Sequence, residues 1–438
     1  MSQGMPAREV KSAHQSDTSD VITTNNLVLQ AQRALDASAL TLGGLFDLSA
    51  LVEAVVLYDR LLFLESASQF DFSTLPIGDL LLRENIIQSY APPLSVQEVQ
   101  DIIYRLFGIP DAYDKVSASP VFSRLSSAGV LPYYGDYDFF SPGRIETILA
   151  ELDLAAQLPL FNQTGGDEQE PTSTLPHYCF NLVETWAAGN VWARRPAQAF
   201  LVRTLVYWVI SDRMKISFYP DVARLTIVAH ITNHLQQALA LGAFAAIAGA
   251  FYTSEDELQR SCAPWEAIIP PLSMLVLEHA ASKDGFGSAL LEVRQQFESL
   301  RRALKAYQAR LRSMTSLREL ADAREEFRRA AAALADAFPV REKWRAAETT
   351  SYHHRAIHYT SRTLAPNAYA AEVRFKPPHW LRKWWLRRSL IHYPEISSKL
   401  DHLQRYADLA KQIYPDGMDV SGIEHYRRFA EMFDRLYL

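Results

Sequence analysis

The chain has 438 residues, 48% of them hydrophobic and 21% charged, with a formal net charge of −6. That balance is ordinary for a globular protein, and the length allows two or three domains. Cys179 and Cys262 are the only cysteines, which excludes a disulfide framework and any multi-cysteine zinc module and fits a reducing cytoplasm.

Residues 1–25 are polar and read as a disordered tail with no signal-peptide core. A helical lobe is expected over 26–160. Asn26 to Leu45 suits a first helix. Leu51, Val52, Val55 and Val56 recur at helical spacing in a second, from Leu48 to Tyr58. The run Arg60 to Glu65 is either a buried strand or more of that helix, because periodicity cannot decide for so short a run. Asp59 is expected to pair with Arg60 or to cap a turn. Ser95-Val96-Gln97-Glu98 is a capping box, and Ser141-Pro142 opens another helix. Between them, Asp136 and Asp138 lie in an aromatic loop. They are candidate ligands for a hard cation, although two acids in such a loop are more often a turn.

Residues 161–175 contain Gly165-Gly166 and read as a linker or surface loop. An apolar helical core is expected over 176–285. Pro196 suits a first helical position, and the helix that follows is apolar on most faces. Ile216 to Tyr219 suits a short strand, and Pro220-Asp221 restarts a helix. From Ala238 to Tyr252 there is no charge. That run is shorter than the roughly 20 residues of a membrane span, so no span is expected. His230 and His234 share a helical face as metal ligands do, but no third ligand or acidic base accompanies them. No cofactor signature is present: there is no G-x-x-x-x-G-K-[ST] and no G-x-G-x-x-G after a strand, and Gly285-Phe286-Gly287 reads as a turn before a helix.

Residues 286–339 show the clearest periodicity. Leu290, Val293, Phe297, Leu300, Leu304, Tyr307, Leu311 and Met314 alternate at spacings of three and four, which is a heptad stripe. A second helix from Leu317 follows closely, predicting a long antiparallel hairpin. Residues 340–438 form a basic-aromatic region with two closing helices. His353, His354 and His358 cluster there. Within it, Arg374, Lys376, Trp380, Arg382, Lys383, Trp384, Arg387 and Arg388 interleave cations with rings. Such a mixture suits phosphate contact with base stacking, an acidic protein partner, or simply rings packed inward beneath charged stems.

The Arg-then-His spacing of helical ribonucleases of the HEPN class occurs at Arg8/His14, Arg224/His230, Arg374/His379 and Arg387/His392. About three matches are expected by chance, so the spacing is not enriched. Taken together, the sequence predicts a mainly α protein: a multi-helix globular core, a long antiparallel helical hairpin and a few short strands. Its expected role is a cytoplasmic interaction protein, a subunit of a larger assembly, with no catalytic signature. The alternative is a nucleic-acid-binding or nucleic-acid-processing protein using residues 374–393.

Overall fold

The computed structural model describes residues 19–64, 71–94, 204–211, 213–214, 216–225, 265–313, 317–337, 348–354, 390–394, 397–424 and 426–427, with Glu98, Val228 and Ala430. Its centre is a sheet of seven strands: β1 (Asp20–Thr23), β3 (Arg60–Leu64), β4 (Ile87–Tyr90), β5 (Ser217–Phe218), β6 (Trp265–Ile269), β7 (Glu348–His354) and β8 (Leu390–Pro394). The spatial order is β4-β3-β1-β5-β8-β7-β6. Neighbours from β4 to β8 are parallel, whereas β8–β7 and β7–β6 are antiparallel. A separate parallel pair joins β2 (Leu40–Thr41) to β9 (Met418–Asp419).

This is an α/β fold, and it corrects the mainly α reading. Parallel strands require crossovers, and the helices supply them. The chain runs from β1 through α1 (Asn25–Asp36), β2 and α2 (Leu42–Leu57) to β3, then through α3 (Pro76–Arg83) to β4. The sequence offers a strand at Ile216 to Tyr219 and, as one of two readings, at Arg60 to Glu65, but it hides the sheet for physical reasons. β1 has four residues and follows a polar tail, β5 has two, and β3 begins three residues after α2 ends. Buried on both faces, β3 reads as a continuous apolar run rather than an alternating one. Strands drawn from four of the six segments delimited by sequence lie side by side in the one sheet.

The helix α2 organises the core. The Thr41 hydroxyl accepts from the Gly44 N–H at 3.0 Å and caps its start. Every residue from Leu45 to Leu57 is buried, the expected fate of a helix apolar on most faces. It packs on α1, on α4 (Leu272–Ala280), on α5 (Phe286–Gln296) and on α6 (Glu298–Ser313). Its C-terminal carbonyls are held by arginines from those last two helices. Arg294 donates to the carbonyls of Val55, Tyr58 (2.6 Å) and Asp59 (2.9 Å), and Arg301 donates to Val56 (3.1 Å). Guanidinium groups here satisfy orphan carbonyls and complement the negative end of the helix. Burial, with Arg301 alongside, lowers the Arg294 pKa to about 10, which leaves it charged at neutral pH. Arg294→Met is expected to destabilise the fold by about 1.5–3 kcal/mol, the range for hydrogen bonds to a charged group. A urea midpoint indistinguishable from wild type would show that water replaces the guanidinium without cost.

The stripe read as a hairpin seam divides at Phe297 into α5 and α6, and both pack on α2. Leu290, Val293, Phe297, Leu300, Leu304, Tyr307 and Leu311 are all buried. The stripe therefore closes one side of the α/β core, and Gln308 on α6 reaches Ser217 of β5 at 2.8 Å. On its other side lies α7 (Leu317–Ala337), with Tyr307 stacked on Phe327 and Arg310 paired with Glu326. Gly287 marks a close helix approach, since a Cβ there would stand 2.6 Å from Leu80 Cδ2. After β8 come α8 (Ser397–Asp401) and α9 (Leu403–Ile413), which together occupy the place of the first closing helix. Among the described residues no helix is long and apolar enough to cross a membrane. The uncharged run 238–252 lies outside them.

Candidate functional site at the carboxyl edge of the sheet

The strand order sets the place. From β1 the chain moves outward to β3 and β4, then returns to put β5 on the other side of β1. In open parallel sheets, ligands settle outside the carboxyl ends of the strands at such a reversal. Here that edge is formed by Thr23 and Thr24 after β1, by Tyr219 to Arg224 after β5, and by the nearby helix α2.

The residues there form two linked polar groups. The first joins β1 to the turn beyond β5. Thr23 Oγ1 donates to the Tyr219 carbonyl at 2.8 Å, and the Tyr219 N–H donates to the Ile22 carbonyl at 2.9 Å. Asp221 caps the short 3-10 turn Val222–Arg224 and accepts the Arg224 N–H at 3.2 Å. Its carboxylate also accepts from the Thr24 hydroxyl and from the Arg224 guanidinium. Asp221 is thus fully occupied. Thr24 precedes α1, yet its hydroxyl serves Asp221, and no side chain caps that helix.

Asp47 of α2 lies near this group and differs from it. It is 9% exposed and makes no hydrogen bond or ion pair among the described residues. Burial, and secondly the Asp221 carboxylate, push its pKa well above the usual aspartate range. Taking an aspartate to 9% exposure with no partner among the described residues costs stability, so its place demands an explanation.

The second group lies deeper. Glu53 of α2 and Lys399 of α8 form an ion pair at 2.6 Å, with exposures of 0% and 1%. Tyr219 Oη donates to Glu53 Oε2 at 3.4 Å. His392 of β8 places Nε2 3.8 Å from the same oxygen, and Tyr58 Oη lies 2.9 Å from its Nδ1. A proton on Nε2 lets Nδ1 accept from the Tyr58 hydroxyl. The Tyr219 ring meets the imidazole edge-on at 4.7 Å. Burial, then the Lys399 charge, hold the His392 pKa well below its usual 6.5. The imidazole is neutral at pH 7, and the group as a whole balances one anion against one cation. At 0–1% exposure it cannot meet a ligand, and it fixes α2, β5, β8 and α8 to one another.

His392 gives a signed pH dependence. The unfolded chain takes up its proton near pH 6.5 and the folded chain does not. The stability it confers is complete above pH 6.5 and falls as the pH drops toward the folded pKa, by up to about 1.4 kcal/mol per unit. His392→Gln is expected to flatten that part of the unfolding free-energy profile. Parallel wild-type and variant profiles between pH 7 and 5 would exclude the linkage.

Most of the residues singled out by sequence are not among the described ones. Arg374, Lys376, Trp380, Arg382, Lys383, Trp384, Arg387 and Arg388 lie outside the described residues, as do His230, His234, His358, Asp136 and Asp138. His353 and His354 fall on β7, opposite Ile391 and Leu390. Asp59 does not pair with Arg60. In-register pairing of β1 and β3 puts Asp20 opposite Arg60, whose Nε donates to Asp20 at 2.8 Å. Asp59 instead accepts from the Ser19 N–H at 2.9 Å and pairs with Arg301 at 3.4 Å. Asp47, Glu53, Asp221 and His392 were not read as a site. The available signal was two acids within the otherwise apolar sequence of α2. Among the described residues no three His, Cys, Asp or Glu side chains converge as metal ligands.

Comparisons with protein-family models, with curated proteins and with solved structures find no match.

Proposed function

We propose that the chain is a binding protein on an α/β scaffold, taking a small polar ligand at the carboxyl edge of β1 and β5. One observation carries this reading: Asp47, 9% exposed, makes no hydrogen bond or ion pair to another described residue, beside the reversal of strand order. Strongly shifted groups concentrate at functional sites because function tolerates what stability would remove. Glu53 and Lys399 provide the rigid floor on which such a site depends. A content of two cysteines fits a reducing compartment such as the cytoplasm. Thermal unfolding with a panel of nucleotides, sugar phosphates and amino acids tests the reading. At least one class should raise the wild-type midpoint and leave Asp47→Asn unmoved. A panel without effect on the wild type would overturn it.

A second reading rests on charge. Residues 341–393 carry a formal +8 within a chain of −6, leaving −14 on the remainder. That asymmetry favours an anionic partner, either an acidic protein surface within an assembly or a nucleic acid. For a nucleic acid, affinity should fall steeply with salt, and changing Arg382, Lys383, Arg387 and Arg388 to Gln should flatten the dependence. No binding to DNA or RNA at low salt would leave the acidic protein partner.

A further inference from the structure

We draw no further inference here: the strongest candidate, the side-chain cluster of Glu53, Lys399, His392, Tyr58 and Tyr219 where α2, β5, β8 and α8 meet, belongs to the site already described, is closed to any ligand at 0–1% exposure, and titrates only as the stability linkage already derived for His392.

Discussion

Lys399→Met is expected to destabilise the protein by about 3–5 kcal/mol, because it leaves a buried carboxylate without its cation. Glu53 is wholly buried, and the Tyr219 hydroxyl at 3.4 Å is a poor substitute for an ammonium group at 2.6 Å. The pair joins residues 346 positions apart, so its loss frees the C-terminal segment from α2. Adding Glu53→Leu should recover much of the loss, since a buried ion pair is often no better than well-packed apolar side chains. A double-mutant cycle by chemical denaturation measures this. A cost below about 1 kcal/mol for Lys399→Met would mean that water reaches the carboxylate.

Leu304→Ala should cost about 2–5 kcal/mol. The side chain is fully buried on α6, where that helix meets α2 and α7. Its removal leaves a cavity between rigid elements that cannot collapse readily. The loss should appear as a lower denaturant midpoint with the slope unchanged. An unchanged midpoint would contradict the placement of the stripe against the core.

The contrast between these two residues shows what the sequence made legible. Leu304 is visible because its information is local: apolar residues at spacings of three and four mark a buried helix face. Lys399 is not, because a lysine meets Glu53 only after the sheet has brought β8 beside β5. The sheet itself was missed for the same reason. Ser217-Phe218 is legible as a short strand, but its partners are Val21 and Ile22, nearly 200 residues away. Parallel pairing leaves no turn signature between partners. The helix α2 occupies the centre of the described core. Asp47 and Glu53 were legible as residues, being acids in an apolar helix. Their different fates, one paired and one alone, depend on neighbours that only the fold supplies.

The central claim is that Asp47 is retained for binding at a cost to stability. The most direct test is the unfolding free energy of Asp47→Asn against wild type at pH 7. The amide keeps the shape of the carboxyl and cannot ionise. The account predicts a variant more stable at pH 7, because the amide has no charged form to desolvate or to be repelled by Asp221. Its advantage should shrink toward pH 4, because the raised folded pKa lets Asp47 take up a proton before the unfolded chain does. An Asp47→Asn variant less stable than wild type at pH 7 would contradict the account, since the carboxylate would then be holding the fold together.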